Sequence, residues 1–351
     1  MNEFMYSVVK FIIKTGLYGF YKRIEIKGLE HVPTYKPVMF LPNHQSALMD
    51  VLLIATDCNR KPYFLTRADV FKGRFLKRIF TYFQMMPIYR IRDGRNSLSN
   101  NNKIFNACAK VLGNGNALVI FPEANHNLRR RVRPLSKGFT RIIIRSLELY
   151  PNLDIQLVPV GLNYKNATHF PDRVSVHYGK PISAKLFFDP NDYTQTSKAI
   201  KEQITTALQK LTTHIEDDDN YESLVGRLEY EGIDLTDPIA TNNWVKTYSS
   251  SGISNRSSNS SSENRGKGSF RFFLYLLNLP VYLLWKYWMK PKVPEAEFMG
   301  TFKFAFGLLA YPVYLCLLFL ILVNMVSVKM AIFILAIQVV VSLCLIKYVL
   351  R

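Results

Sequence analysis

Cysteine and histidine are scarce in this chain of 351 residues, which has four of the first and six of the second. The cysteines show no paired spacing, and two of them lie in apolar segments near the carboxyl end: Cys58, Cys108, Cys316 and Cys344. This pattern argues against a disulfide framework and a zinc site, and it fits a reducing compartment for the main domain. The sequence therefore predicts neither a metal nor a bound cofactor.

Acidic residues are also few, since 26 Asp and Glu stand against 45 Lys and Arg, for a formal net charge of +19. Such an excess suits nucleic acid, an anionic membrane face or small phosphorylated substrates. The chain has no zinc-finger spacing, no RRM-like aromatic motif and no basic heptad region. Together with a hydrophobic carboxyl-terminal tail, these absences favour anionic lipid as the partner and predict no nucleic-acid partner.

Residues 1–29 are predicted to contain a helix lying in the membrane interface. Apolar residues recur close to helical spacing at positions 4, 8, 11, 12 and 17, with Lys10 and Lys14 among them. In this interpretation the apolar side chains enter the membrane and the lysines stay at the headgroups. The alternative is a helix that covers the core of the main domain.

Residues 30–190 alternate short apolar runs with longer stretches of helical periodicity. Predicted strands cover 38–41, 62–65, 85–89, 117–121, 155–160 and 174–178, and predicted helices cover 48–56, 72–83, 101–112 and 138–149. Such alternation is typical of an α/β sheet with helices on both faces. A helical extension is predicted over 191–245. The stretch 246–269 is rich in Ser, Asn, Gly and Arg, and it predicts a flexible linker.

Residues 270–351 form a hydrophobic tail. The uncharged stretch 272–285 contains Pro280 and predicts an interfacial or re-entrant helix. Stretches 304–328 and 330–346 are each long enough to cross a bilayer, so they predict a transmembrane helical hairpin, with two buried core helices as the alternative. Lysines at 286, 290, 292 and 347 would then lie on the cytoplasmic side with the basic domain.

The first motif that carries chemistry follows the strand at 38–41, where Asn43, His44 and Asp50 lie within eight residues. Neutral imidazole can take a proton from a hydroxyl and return it to a thiolate leaving group. Asp50 can fix the tautomer and stabilise the imidazolium. A purely structural His–Asp pair is the alternative for these residues in isolation.

A second motif, Phe121-Pro122-Glu123, ends a buried strand and is followed by a dense basic stretch containing Arg129 and Arg130. Arginine offers two donors to one phosphate, so the stretch suits a phosphate-bearing substrate or a membrane-facing patch. Lys137 directly precedes a predicted helix, whose amino end favours anions.

Two further motifs lie at predicted strand ends. Arg90 and Arg92 follow the strand at 85–89, and the strand at 155–160 ends in Val-Pro-Val-Gly, with its proline expected at the strand terminus. The first of these motifs adds two more arginines to the candidate anion site.

Taken in chain order over residues 35–185, these four strand-end motifs resemble those of the glycerolipid acyltransferase superfamily. The resemblance implies that His44 is the general base and Asp50 its orienting carboxylate. Together with the basic residues described above, it leads us to expect an acceptor pocket that includes Asn43, Arg90, Arg92, Glu123, Arg129, Arg130 and Lys137. It further implies transfer of a fatty acyl group from acyl-CoA or acyl carrier protein to 1-acylglycerol 3-phosphate or glycerol 3-phosphate. Glu123 is expected to hold acceptor hydroxyls or to brace the arginines.

The sequence departs from the family pattern at two points. Five residues separate His44 from Asp50, where the common pattern has four, so the loop is expected to absorb one residue at the helix entrance. In the motif that begins with Phe121-Pro122-Glu123, which is the third of the family in chain order, Ala124-Asn125-His126 replaces Gly-Thr-Arg. With His126 in place of the arginine, either Arg129 or Arg130 takes over the phosphate contact, or the acceptor is another lysolipid, such as a lyso-aminolipid. A non-catalytic lipid-binding protein with this fold is a further alternative.

We therefore expect an acyltransferase of phospholipid synthesis in the inner or plasma membrane of a bacterium, with its catalytic domain on the cytoplasmic face. Its expected partners are membrane lipids and the acyl donor. The sequence predicts no particular oligomeric state.

Overall fold

The computed structural model describes residues 3–71, 73–89, 100–250 and 265–349. Eight strands form one sheet in the order β1-β7-β6-β2-β5-β3-β4, with the short strand β8 beside β6. In chain order, the strands are β1 Arg23–Lys27, β2 Val38–Pro42, β3 Tyr63–Arg67, β4 Met85–Ile88, β5 Ala117–Val119, β6 Gln156–Tyr164, β7 Arg173–Tyr178 and β8 Ile182–Ser183.

The strands at the centre of the sheet are parallel. β2 lies between β5 and β6 and runs parallel to both, and β3 runs parallel to β4 and β5. β7 and β8 are antiparallel to β6. The carboxyl ends of β2, β3, β4 and β5 therefore meet at one edge of the sheet, where loops expose side chains over a rigid platform.

Helices cover both faces of the sheet, as the sequence predicted. The main-domain helices are α2 Ala47–Asp57, α3 Arg74–Tyr82, α4 Asn100–Gly113, α5 Gly138–Leu149 and α6 Tyr193–Leu211, and α1 Glu3–Phe20 precedes them. One core lies under α4, α5 and α6 and includes Phe139 and Ile204. A second core on the opposite face includes Leu17, Phe40 and Leu53, contributed by α1, β2 and α2. The α/β class is confirmed.

All six predicted strands are present, but the sequence interpretation missed β1 and β8. β1 pairs only with β7 at the edge of the sheet and carries charged residues at both ends and its centre, so it lacks an apolar run. The predicted unit 1–29 therefore contains an edge strand as well as α1. β8 has only two residues.

The expectation that Pro159 ends its strand is wrong, because β6 continues to Tyr164. β8 pairs with β6 up to Leu157, and β7 pairs with it from Val160 onward. The Pro159 carbonyl accepts from Gly179 N–H on the side of β6 that faces β7 and β8. The Pro159 nitrogen therefore faces the gap between β7 and β8. No strand hydrogen bond is lost there, although proline has no N–H.

The α1 lysines contact the main domain, and their predicted position at the headgroups stays a prediction. Lys10 donates to the Cys58 carbonyl at 2.9 Å, and Lys14 lies 2.8 Å from Asp57 Oδ1, so both bind the end of α2. Phe4 and Phe11 are exposed on the other side of the helix. One side of α1 thus covers the domain core while an apolar side faces outward.

The chain continues through α7 Tyr221–Tyr230 and α8 Pro238–Ser250, and then α9 Arg265–Leu277 and α10 Leu279–Leu284. The predicted linker 246–269 is therefore too long at both ends. Trp244 stacks on Tyr248 with ring centroids 4.7 Å apart, and α8, which contains both residues, continues to Ser250. The rest of the predicted linker lies outside the described residues.

The last two helices are α11 Met299–Val323 and α12 Val328–Cys344, which pack against each other as a hairpin. By length and composition, the two segments 296–323 and 328–347 could each cross a membrane. Large apolar side chains are exposed along both helices, among them Leu309, Leu317, Phe333 and Val340.

Candidate active site

His44 and Asp50 meet at the carboxyl end of β2. The His44 Nδ1 atom lies 2.7 Å from Asp50 Oδ2, and the Asp50 side chain is fully buried. The same oxygen accepts from the backbone N–H groups of Gln45 and Ser46, each at 2.8 Å. Because a carboxylate oxygen accepts, Nδ1 carries the imidazole proton and Nε2 is left as the basic nitrogen.

The extra residue between His44 and Asp50 is accommodated at Ala47, the first residue of α2. Ala47 has φ +40°, a left-handed conformation that costs a residue with a Cβ about 1–2 kcal/mol. The sequence analysis expected such a deviation at the helix entrance. The Asp50 carboxylate reaches back from the first turn of α2 and binds the two preceding N–H groups, which holds the strained turn together.

Tyr164, the last residue of β6, completes the environment of Asp50. Its hydroxyl donates to Asp50 Oδ1 in a short hydrogen bond. Burial raises the pKa of Tyr164 well above its usual range, so the hydroxyl stays protonated and remains a donor. Both Asp50 oxygens are therefore occupied, and the carboxylate is held in one orientation toward His44.

Glu123 braces this loop from the end of β5. Its side chain is almost fully buried; Oε2 accepts from His44 N–H at 3.3 Å and from Arg133 Nη2 at 2.7 Å. Oε1 accepts from Arg133 N–H at 3.0 Å. The Arg133 guanidinium also binds the Asn125 side chain and carbonyl. Of its two expected roles, bracing an arginine is the one seen in the structure.

The residues after Glu123 show why glycine suits the family pattern there. Ala124 has φ +66°, which glycine adopts without strain. His126 turns its ring edge to His44, with centroids 5.6 Å apart, while the His44 ring stacks on Phe121 at 4.0 Å. Burial and then the neighbouring His44 lower the pKa of His126, so its imidazole is neutral at pH 7.

Arg129 and Arg130, both predicted to bind substrate, make contacts within the protein. Arg129 Nη1 lies 2.8 Å from Asp218 Oδ1, and its guanidinium covers the Tyr221 ring. The Arg130 guanidinium donates to the carbonyls of Tyr164 and Lys165 at 2.6 and 2.7 Å. These arginines thus join the basic stretch to β6 and to the acidic residues 216–219, and their predicted substrate contact stays a prediction.

Asn43 and Lys137 lie in different settings. The Asn43 amide exchanges two hydrogen bonds with the Leu162 backbone and so joins the loop that carries His44 to β6. Lys137 is exposed at the amino end of α5 and lines a cavity of about 670 Å³ with Arg141 and Lys201. Ser136 N–H donates to the Pro122 carbonyl, which places this helix end at the same sheet edge as Glu123.

Arg90 and Arg92 lie outside the described residues. The chain just before them is fixed, because the Asn101 side chain binds both the N–H and the carbonyl of Tyr89. Their predicted role in the acceptor pocket stays a prediction.

Three contributors to this site were missed by sequence reasoning. Tyr164 lies 114 residues from Asp50, and Glu295 and Phe298 approach His126 from the tail. Arg133 stood in the basic stretch without a specific role. The only sequence signal for Tyr164 was its place at the end of the strand that carries Val-Pro-Val-Gly.

The family model Acyltransferase matches residues 23–163, about two fifths of the chain. This match and the relatives below support the resemblance to the glycerolipid acyltransferase superfamily that the motifs predicted, and that prediction is confirmed.

Two relatives share short segments with the chain. An uncharacterized acyltransferase of Schizosaccharomyces pombe is 29% identical over 98 residues, which are 28% of this chain and 14% of that protein. Glycerol-3-phosphate O-acyltransferase 1 of Saccharomyces cerevisiae is 25% identical over 127 residues, 35% of this chain and 16% of that protein. The chain therefore matches less than a fifth of either relative's length.

Among solved structures, a 1-acyl-sn-glycerophosphate (LPA) acyltransferase from Thermotoga maritima is similar, with a TM-score of 0.45 and 17% identity. The similarity covers 60% of this chain and 81% of that one.

Proposed function

We propose that this protein is an O-acyltransferase that moves a fatty acyl group from an acyl thioester to a glycerolipid hydroxyl. The observation that carries the proposal is the His44–Asp50 pair, 2.7 Å apart, with Asp50 fully buried and the pair lying at the carboxyl edge of an acyltransferase-family sheet. A buried carboxylate bound to Nδ1 prepares the imidazole for general-base work.

The proposed reaction needs no nucleophile from the protein. His44 Nε2 removes the proton of the acceptor hydroxyl as its oxygen attacks the thioester carbonyl carbon. Asp50 stabilises the imidazolium that forms. The tetrahedral intermediate then expels the thiolate, which takes the proton from His44, so that an ester and a free thiol result.

We favour glycerol 3-phosphate or 1-acylglycerol 3-phosphate as acceptor. The yeast relative named as a glycerol-3-phosphate acyltransferase supports this choice, as does the net charge of +19. Lys137 is our candidate for the acceptor phosphate, because it is a cation at the amino end of α5 on the catalytic edge of the sheet.

A second acceptor class is supported by one observation. His126, neutral at pH 7, stands where the family has a phosphate-binding arginine, and the following Arg129, Arg130 and Arg133 are bound to protein groups. A lysolipid without phosphate, such as a lyso-aminolipid, would suit a site with fewer available cations.

The donor is acyl-CoA or acyl carrier protein, and we propose no other cofactor. Two apolar helices and the exposed apolar side of α1 support a membrane location. We place the basic domain on the cytoplasmic face of a bacterial inner or plasma membrane, because Lys286, Lys290 and Lys292 precede the hairpin.

The decisive test of the chemistry is His44→Ala in the full chain, assayed in detergent by release of CoA thiol. Loss of a general base predicts a fall in kcat of about 10²- to 10⁴-fold in the folded variant, and thermal unfolding in the same detergent checks that the variant is folded. His31→Ala is the control, since that exposed histidine lies outside the site. If His44→Ala retained wild-type activity, or complemented an acyltransferase-deficient strain as well as wild type, the proposed role of His44 as general base would be wrong.

The acceptor class is tested by a panel of glycerol 3-phosphate, 1-acylglycerol 3-phosphate and a lyso-aminolipid with one acyl-CoA. Acylation of the phosphate-bearing acceptors, with Lys137→Ala raising KM for them, supports the favoured proposal. Acylation of the lyso-aminolipid alone would replace it with the second acceptor class.

A further inference from the structure

The hydrophobic tail contacts the catalytic loop through the first turn of α11. Gly300 is buried there, and a Cβ built on it would lie 3.0 Å from the Ala167 carbonyl and 3.1 Å from Ser46 Oγ. The next nearest atom belongs to Met49, at 3.4 Å. Ser46 is one of the two residues whose N–H groups bind Asp50, so α11 packs directly on the turn that holds this carboxylate.

The segment just before α11 reaches the other side of the site. Glu295 Oε2 lies 3.3 Å from His126 Nε2, and the Phe298 ring meets the His126 ring edge-on with centroids 4.8 Å apart. His126 in turn contacts His44. The tail thus contacts the loop carrying His44 at one end and the loop following Glu123 at the other.

Contacts farther along the tail fix this segment in place. Lys303 donates to the Thr168 carbonyl at 2.7 Å, and the Phe304 ring packs edge-on against Phe20 of α1. At the end of the tail, Lys347 donates to three carbonyls at the carboxyl end of α1. The first turn of α11 is therefore held against the domain from two directions.

We infer that residues 295–300 are a positioning element of the reaction centre, so that the tail sets the geometry of the catalytic loop and does more than attach the domain to the membrane. This inference rests on the proposed acyl transfer. Gly300 allows close approach to the Ser46 turn, while Glu295 and Phe298 fix the ring of His126 beside His44.

Two glycines of the same helix offer a matched test. Gly300→Val would force branched carbons into a backbone carbonyl and the catalytic turn, whereas a Cβ on Gly307 meets nothing within 4 Å. Both substitutions change the same residue type in the same helix. Any effect on helix propensity or membrane insertion should be shared between them.

The full chain is assayed in detergent with acyl-CoA and the accepted glycerolipid. We expect Gly300→Val to lower kcat about 10- to 100-fold, with KM for the donor changed less than about twofold, because small displacements of catalytic groups have large effects. Gly307→Val should stay within about twofold of wild type. Equal activity of the two variants would overturn the inference.

Phe298→Ala keeps the inference testable if Gly300→Val fails to fold. It removes the ring beside His126 and leaves the Gly300 contact intact, so we expect a several-fold lower kcat, a shifted pH profile and an unchanged thermal midpoint. Wild-type kcat and pH profile in a folded Phe298→Ala would count against a positioning role. A wild-type chain without thiol release on any acceptor would instead reject the proposed function.

Discussion

A single hydroxyl group offers the sharpest test of how the Asp50 carboxylate is held. Tyr164→Phe removes the donor to Asp50 Oδ1 and the contact of the same hydroxyl with the Tyr21 side chain. The ring is 1% exposed, so phenylalanine fills the same space. Hydrogen bonds to charged groups contribute about 1.5–3 kcal/mol, and the loss leaves one buried carboxylate oxygen without its partner. We expect the free energy of unfolding to fall by about 2 kcal/mol.

Tyr178 provides a matched control on the neighbouring strand. It is also buried, but its hydroxyl finds no hydrogen-bond partner within the described part of the chain. Tyr178→Phe removes an unsatisfied polar group, so it should be neutral or stabilise the protein by about 1 kcal/mol. The same substitution at two buried tyrosines should therefore act in opposite directions or at least differ by about 2 kcal/mol.

The activity of Tyr164→Phe should report on the same hydrogen bond. Without the hydroxyl, more of the Asp50 charge is available to His44, which favours the imidazolium and shifts the acidic limb of the pH–rate profile upward. Thermal unfolding in detergent and thiol release between pH 5 and 9 measure both effects. Equal stability of the two phenylalanine variants, with no shift in the limb, would refute this account of Asp50.

Two further predictions concern buried carboxyl groups. Glu123→Gln should lower the free energy of unfolding by about 3 kcal/mol, because it leaves the half-buried Arg133 without its charged partner. A double-mutant cycle with Arg133→Met should show coupling between the two residues. Additive effects of the two substitutions would contradict this prediction. Burial raises the pKa of Asp172 from 3.8 to about 7, so the folded state keeps this proton while the unfolded chain loses it above pH 4. Wild-type stability should therefore fall by about 4 kcal/mol between pH 4 and 7 and then level off. Asp172→Asn should remove this dependence on pH. Urea titrations at pH 5 and 8 measure the change in the free energy of unfolding between the two pH values, and the same change in Asp172→Asn as in wild type would contradict the role given to Asp172.

The sheet could be predicted because its central strands are short apolar runs between helices. Strands such as β2 and β6 are buried on both faces, so they stand out against the polar loops. β1 could not be found this way, since an edge strand with three charged residues has the composition of a loop. Its place depends on pairing with β7, which lies about 150 residues later in the chain.

The residues of the site could be predicted where they lie in short sequence motifs at the ends of strands. His44 and Asp50 are six residues apart, and the loop between them made their contact a reasonable expectation. Tyr164 and Phe298 reach the same site from other parts of the chain, and no local pattern marks either one. The basic stretch was recognised, but which arginine would bind Glu123 and which would bind Asp218 depends on tertiary packing.

The two loops of the site hold each other in conformations that neither would adopt alone. Ala47 and Ala124 both have positive φ angles, at a cost of about 1–2 kcal/mol each. The loops are joined by His44 N–H to Glu123 and by Asn127 N–H to the His44 carbonyl. Asp50 binds the N–H groups of Gln45 and Ser46 just before Ala47, and Glu123, directly before Ala124, binds the N–H groups of His44 and Arg133. Asp50 and Glu123 therefore act on loop conformation and on His44 together, so neutralising either carboxylate should change stability and activity together.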